Sequence, residues 1–378
     1  LPHNNRQYFD RQLIVIVLCL AAFGTIVMYS ASSPHAIANY HGSTFFLKRH
    51  LKALVIGIGL LFILSSINHR HLKYSAFFLV ILSIVALIMG YIFSPKNEPA
   101  RWLIYTQHSK MITISDFVRI ALIIYTAYYL DKFKSEIQNF RKGLLPLLLF
   151  AGLIILLVAF QPDLSTAMVM TLTFTVLLFI GGAKITHLIA LGMSGIPVLA
   201  YSVYHNPYQF KRLLSWLTPG ADTLGANWQA MSSTIALGNG GFLGTGLGDS
   251  IMKHGYLPQA HTDFIFSVIG EELGFLFTAI ILIIFLWFFI RGLHTARNAP
   301  DGFGIFLAIG IVLNVTIYFL INVAYVTGYL PVTGLPMPFI SYGGSSTICT
   351  LASMGILLSI SRSGNAGKQF VNRKYYGV

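Results

Sequence analysis

Charge is scarce in this chain. Only 10% of its 378 residues are Asp, Glu, Lys or Arg, against about 25% in soluble domains. So few charges cannot keep a folded surface of this size wet, which excludes most soluble enzyme folds. Acids are scarcer still, 12 against 25 Lys and Arg, for a net charge of +13. Cysteine is almost missing: Cys19 and Cys349 both lie inside apolar runs, and no disulfide framework is implied. No Gly-rich P-loop with its Lys occurs. Gly244-Thr-Gly246-Leu-Gly248 is not the dinucleotide fingerprint, and no βαβ unit surrounds it. The 12 His residues show neither zincin spacing nor a Cys/His cluster. ATP-driven transport by this chain alone is therefore disfavoured.

Apolar residues fill the rest, 55% of the chain. A membrane helix needs roughly 20 mostly apolar residues to cross a hydrocarbon core of about 30 Å, and about ten runs meet that criterion. They lie near 13–31, 50–66, 74–94, 112–130, 144–160, 163–181, 185–204, 264–290, 304–326 and 340–360. The expected fold is an all-α integral membrane protein, one polytopic domain over residues 1–378. The first run resembles a signal peptide, with Arg6 and Arg11 before it and Ser30-Ala31-Ser32-Ser33 after it. Many spans follow, so a retained helix is expected. The chain opens at Leu1 rather than Met, and a few trimmed residues are expected.

Alternate loops separate by charge. One set holds Arg6 and Arg11; Arg70 and Lys73; Lys132, Lys134, Arg141 and Lys142; Lys184; Arg291 and Arg297; and Arg362, Lys368, Arg373 and Lys374. The positive-inside rule puts these loops, both termini and the tail 363–378 in the cytoplasm. The basic excess then reads as membrane anchoring and contact with anionic lipid, not nucleic-acid binding. Residues 205–262 form the only long loop, on the outer side between the seventh and eighth spans. Its Gly and aromatic content, with Trp216, Trp228 and Tyr256 among others, argues for an ordered, functional segment. No internal repeat marks an inverted-repeat transporter.

The acids can be audited one by one, because an ionisable group in a membrane is costly and marks a functional hypothesis. In His261-Thr-Asp-Phe-Ile-Phe-Ser-Val-Ile-Gly-Glu-Glu-Leu-Gly274, helical spacing puts Asp263, Ser267, Gly270 and Gly274 on one face. Asp263 opens that stripe at the membrane surface, either as a helix-terminal carboxylate meeting the macrodipole or as a reactive group. Glu271 and Glu272 read as structural partners of other helices. Asp116 and Arg119 stand i,i+3 and are expected to pair inside the bundle, and Asp163 sits at the Gln161-Pro162-Asp163 break. Between Leu330 and Ser346 three prolines force extended backbone before Ser341, Ser345 and Ser346. Such backbone survives at membrane depth only where protein buries it or a wet cavity lines it. Lys48, Arg49, Lys52, Arg101, Lys211, Arg212 and Lys253 can face the outer side, where together they suit an anionic substrate such as a pyrophosphate.

These motifs resemble the SEDS family of bacterial cell-wall polymerases, the FtsW/RodA proteins. The resemblance is carried by Gln161-Pro-Asp-Leu-Ser-Thr-Ala167, Gly238-Asn-Gly-Gly-Phe-Leu-Gly-Thr-Gly-Leu-Gly248 and Leu257-Pro-Gln-Ala-His-Thr-Asp-Phe-Ile-Phe266. Gly270-Glu-Glu-Leu-Gly274, Pro331-Val-Thr-Gly334 and Ser341-Tyr-Gly-Gly-Ser-Ser346 complete it, in family order over most of the chain. It implies a peptidoglycan glycosyltransferase that polymerises lipid II, the undecaprenyl-pyrophosphate-linked precursor, on the outer face of the bacterial cytoplasmic membrane. A class B penicillin-binding protein is the implied partner, with divisome regulators. Asp263 matches the family's essential Asp, as general base or as holder of a divalent cation, Mg or Mn; no tightly bound cofactor is implied. Lys48, Arg49, Arg101, Arg119, Lys211, Arg212, His261, Thr262, Ser341, Ser345 and Ser346 are the implied substrate contacts, and Asp116, Asp163, Glu271 and Glu272 the polar network.

The departures are local. Ile114-Ser115-Asp116-Phe-Val-Arg119 stands where the family commonly reads Pro-Ser-Glu-x-x-Lys, Pro99-Ala100-Arg101-Trp102 shortens a Gly-Ala-x-Arg-Trp pattern, and Ser165 replaces a Gly. The short Gly248–Leu257 segment and Ala260 before His261 resemble the FtsW branch, which implies the division septum. A lipid II flippase, a RodA-type elongation polymerase and a non-catalytic scaffold for the transpeptidase are the alternatives.

Overall fold

The computed structural model describes residues 9–93, 102–106, 109–161, 163–218 and 226–376. The elements in chain order are α1 (Arg11–Tyr40), α2 (Phe45–Ser66), α3 (Arg70–Phe93), the hairpin strands β1 (Trp102–Thr106) and β2 (Ser109–Thr113), and α4 (Ile114–Lys132). A π-helical turn, Phe140–Leu144, leads into α5 (Leu145–Phe160), followed by α6 (Leu164–Ile180), α7 (Ile185–His205), α8 (Pro207–Leu217) and α9 (Ala226–Asn239). The chain closes with α10 (Ile265–Arg297), α11 (Gly302–Val326) and α12 (Gly344–Tyr376).

Each apolar run expected from the sequence overlaps a helix, although residues 112–113 fall in β2 and 340–343 precede α12. Seven helices are long and apolar enough to cross a membrane: α1, α3, α5 with its π turn, α7, α10, α11 and α12 up to Gly364. α6 is apolar but shorter, and α2 and α4 carry Lys48, Arg49 and Lys52, and Asp116 and Arg119. The antiparallel β1–β2 hairpin departs from the all-helical expectation. The 205–262 segment, expected as a loop, contains α8 and α9. α8 is amphipathic, its charges and apolar residues on opposite faces, which suits a helix lying along a boundary.

α11 is the central post, packed by α10, α4, α6 and α12, while α12 lies along α2. α11 buries residues all round, including Asn314, Tyr318, Asn322 and Tyr325. Helices at the rim, such as α3, bury one narrow stripe (Ala76, Val80, Ser83, Leu87, Gly90) and present apolar side chains outward, as lipid-facing helices do.

α10 breaks at Gly274, whose φ of 75° lies in the left-handed region; a Cβ there would stand 2.3 Å from the Gly244 nitrogen. The break frees backbone groups that lipid cannot satisfy, and residues 241–246 take them up. Thr245 and Gly246 amides donate to the Glu271 and Glu272 carbonyls (both 2.9 Å), and the Phe275 amide donates to Gly241 (2.9 Å).

One end of the bundle is tied by ion pairs. Asp10 caps α1 through the Gln12 and Leu13 amides and accepts from Arg291 at 2.5 Å. Asp301 caps α11 through the Gly304 amide (2.7 Å) and accepts from Arg70 (2.7 Å) and His69 (3.4 Å). Burial pushes the Asp301 carboxyl up, but the Gly304 amide, Arg70 and His69 outweigh it and hold it below its ordinary value. A depressed carboxylate stabilises fully above its unfolded pKa, and that contribution fades as pH falls through the lowered folded value. Asp301→Ala should therefore lower stability by about 1–2 kcal/mol at neutral pH, as lost helix caps do. Thermal unfolding in detergent reads this loss, and the gap from wild type should narrow below about pH 4.

Candidate functional site

Two stretches of chain meet at Asp263, held by side chains from three helices. The first is its own turn. Gln259, at φ 59°, aims its carbonyl at three amides, those of Thr262 (3.1 Å), Asp263 (3.2 Å) and Phe264 (3.3 Å). This tight wrap sets Asp263, half-buried, just ahead of α10.

The second is the extended segment 331–335, each of whose key carbonyls is answered by a different element. Arg212 of α8 donates from Nη1 to the Val332 carbonyl (3.0 Å). Ser165 of α6 donates to the Thr333 carbonyl (2.8 Å). Asn322 and Tyr325 of α11 both donate to the Leu335 carbonyl (2.8 Å each). The same two side chains also reach the Asp263 carbonyl, Asn322 at 2.9 Å and Tyr325 at 2.7 Å. An amide NH2 and one phenol bring three protons to two carbonyls. The pair is fully buried and forms a clamp joining the Asp263 turn to segment 331–335.

Gly334 marks the centre. Its φ is 75°, and a Cβ placed there would lie 3.3 Å from Asp263 Oδ2 and 3.7 Å from Arg212 Nη1. A carboxylate and a guanidinium thus share the small space over one glycine. Asp263 and Arg212 also both act electrostatically on the buried Tyr325 hydroxyl. Among the described residues, no three His, Cys, Asp or Glu side chains gather as a metal cluster. One carboxylate beside an Arg offers a cation a single protein ligand.

The remaining sequence candidates fall into separate groups. His261 packs among Phe46, His35 and Tyr342, with ring centroids 4.5, 5.7 and 5.7 Å away, and its carbonyl accepts from the Tyr342 amide (3.0 Å). Burial, reinforced by His35, lowers its pKa from 6.5 to about 4. Arg49 lies over the Phe45 ring (4.2 Å), and Lys48 and Lys211 are exposed. Thr262 donates back to Gln259. Ser341 Oγ accepts the Met337 amide (2.8 Å), and Ser346 is half-buried. Arg101 lies outside the described residues.

Arg119 is not brought to Asp263's surface. It is buried in the bundle, with Nη2 3.7 Å from Asp116 and its guanidinium carbon 4.2 Å from the Tyr318 ring centre. Ser345 donates to Asp116 (2.7 Å), and the adjacent Ser115 donates to Asp163 (2.7 Å), so these groups are engaged inside the bundle. Glu272 pairs with Lys253 (2.7 Å) and accepts from Ser30 (2.7 Å). Glu271 accepts from Ser250 and from the Ile251 (3.2 Å) and Met252 (3.3 Å) amides. The two glutamates therefore fasten loop 245–253 to α10. Asn322 and Tyr325 are absent from the sequence candidates, and Gly334 enters there only within Pro331-Val-Thr-Gly334. The i,i+3 polar pair inside the apolar α11 run was the available signal.

The molecule is a multi-pass helical membrane protein whose polar site is built at the start of α10 against a broken, extended segment. Comparison with known proteins identifies the type. The cell cycle protein family of FtsW, RodA and SpoVE matches residues 10–366, and the chain belongs to it. "Probable peptidoglycan glycosyltransferase FtsW" of Geobacter sulfurreducens is 37% identical over 358 residues, covering 93% of this chain and 95% of the relative. "Stage V sporulation protein E" of Bacillus subtilis is 38% identical over 360 residues, covering 93% and 97%. A chain solved in a peptidoglycan synthase complex, described as coordinating polymerization and crosslinking, superposes with TM-score 0.74 at 25% identity, over 94% of this chain and 98% of that one. The rod shape determining protein RodA of Thermus thermophilus shares the fold, with TM-score 0.68 at 23% identity over 95% and 98%.

Two outcomes follow from the geometry. A buried His with a depressed pKa costs stability as pH falls, because the unfolded chain takes the proton first. Stability should drop between pH 6.5 and about 4, and His261→Phe, which keeps a ring in the cluster, should flatten that drop in thermal melts. Gly334→Ala should cut activity sharply, since its Cβ enters the Asp263–Arg212 space, at a stability cost of about 1–2 kcal/mol for a left-handed non-Gly residue; full activity in the folded variant would contradict the placement.

Proposed function

We propose that this chain is a peptidoglycan glycosyltransferase that polymerises lipid II at the outer face of the bacterial cytoplasmic membrane. The observation that carries the reading is the meeting of Asp263 and Arg212 over Gly334, at a boundary where a lipid-linked sugar can approach from the bilayer. Relatives named as glycosyltransferases of the FtsW type support it over nearly the whole chain.

The chemistry follows from the two charges. Asp263 takes the proton of the acceptor sugar hydroxyl as a general base. The hydroxyl oxygen then bonds to the donor's anomeric carbon, and the bond from that carbon to the pyrophosphate oxygen breaks. Negative charge builds on the leaving pyrophosphate, where Arg212 and the exposed Lys211 neutralise it. A divalent cation carried in on the pyrophosphate would add Lewis-acid neutralisation there, with Asp263 as its protein ligand. The basic loops are cytoplasmic and the 205–262 segment extracytoplasmic. The partner is a class B penicillin-binding protein that crosslinks the new strand, as the likeness to a synthase complex suggests. The FtsW-type relatives favour the division septum.

The test is lipid II polymerisation by the purified chain with its cognate transpeptidase carrying a dead crosslinking site, with and without divalent cation. Asp263→Asn should lose about 10²–10⁴-fold in rate, and Arg212→Gln about 10²-fold or more, both with unchanged complex formation. Glycan ladders from Asp263→Asn at the wild-type rate would remove Asp263 from the chemistry. No ladder from wild type in an intact complex would favour a transport or scaffold role.

A further inference from the structure

Away from Asp263, α4, α6 and α11 border a small, partly open cavity lined by Arg119, Thr126, Met170, Thr173, Phe174 and Asn314, among others. Three polar atoms of these side chains have no protein partner: Arg119 Nε, Thr173 Oγ1 and Asn314 Oδ1. Their residues are 3%, 2% and 4% exposed. They come from three different helices, and all three residues line this one space. An unmatched buried polar atom is costly, and lipid around the bundle offers no relief.

The chemistry of the wall selects the occupant. Arg119 Nε can only donate, and Asn314 Oδ1 can only accept. A cation would face the guanidinium, an anion would face the amide oxygen, and an apolar molecule would satisfy neither. Water accepts from one and donates to the other, with the Thr173 hydroxyl as a third partner; about three bonds is usual for a buried water. The cavity has room for about one such molecule. We propose that the cavity is a hydration site, in which one water bridges Arg119, Asn314 and Thr173. The water joins α4, α6 and α11 and fixes the far edge of the Arg119 guanidinium, whose near edge faces Asp116. The site stands independently of the glycosyltransferase reading.

Met170 and Phe174 on the wall make the site testable by X-ray hydroxyl-radical labelling of the full chain in lipid nanodiscs, read by mass spectrometry. Radicals born from a trapped water oxidise neighbouring side chains even where bulk solvent does not reach. Met170 and Met354 are equally buried, at 2%, but only Met170 lines the cavity. Met170 should be labelled several times faster than Met354, with oxygen-18 from added heavy water entering slowly. Thr173→Val with Asn314→Leu should abolish the difference. Protection of Met170 to the level of Met354 would overturn the proposal. So would undiminished labelling in a folded double variant, or oxygen-18 entry as fast as at exposed residues. Should the double variant fail to fold, the wild-type comparison of the two methionines decides alone.

Discussion

Backbone that leaves a helix inside a membrane must find its hydrogen bonds within the protein, and this constraint organises the site. Segment 331–335 has three carbonyls to satisfy and draws a side chain from α8, one from α6 and two from α11 to do so. Two of those side chains, Asn322 and Tyr325, hold the Asp263 carbonyl as well. The position of the carboxylate is thus a by-product of pairing the backbone. The break of α10 at Gly274 is handled in the same way by residues 241–246. Both irregular stretches flank the same helix start.

Charges obey a parallel rule. An ion removed from water costs several kcal/mol unless it is paired and hydrogen-bonded. Glu272 has Lys253 and Ser30, Glu271 has a hydroxyl and two amides, and Asp116 has Arg119 and Ser345. These groups are spent on holding helices and loops together. Asp263 and Arg212 differ in being only half-buried. Their charges lie close enough to restrain each other yet remain within reach of a boundary, which is the condition for acting on something that arrives. The interior pair of Asp116 and Arg119, joined to α12 through Ser345, holds helices together.

The helices were legible because lipid allows few alternatives: the apolar runs fall on helices, though among the described residues only seven are long and apolar enough to span. α8 and α9 were hidden because short helices in a Gly-rich, aromatic stretch give weak periodicity. The β1–β2 hairpin was hidden for a related reason, since two five-residue strands merge into the polar approach to α4. At the site, Asp263 stood out through charge in an acid-poor chain. Asn322 and Tyr325 did not, because neither is charged and each is compatible with an apolar helix. Gly334 was one glycine among 34, and only the coordinates show which of them has two charges over it. Ser165 looked like a departure from the family pattern, yet its hydroxyl binds the Thr333 carbonyl; a local change of residue was absorbed by a new hydrogen bond.

Arg212 links two roles that would otherwise be separate. A guanidinium carries five N–H donors in a rigid fork, and Nη1 is engaged with the Val332 carbonyl. The same group lies beside Asp263 over Gly334. In the proposed reaction a phosphate at Arg212 would meet a cation whose orientation is already set by segment 331–335, with little ordering left to do on binding. Lys could supply the charge there but not the fork. α8 also ties down through Trp216, whose indole N–H donates to the Gly328 carbonyl at 3.1 Å. The amphipathic α8 is thereby fastened at two points to the chain that follows α11, and any movement of α8 along the membrane surface would shift the cation relative to the carboxylate. Alignment of the two charges depends on where that boundary helix sits.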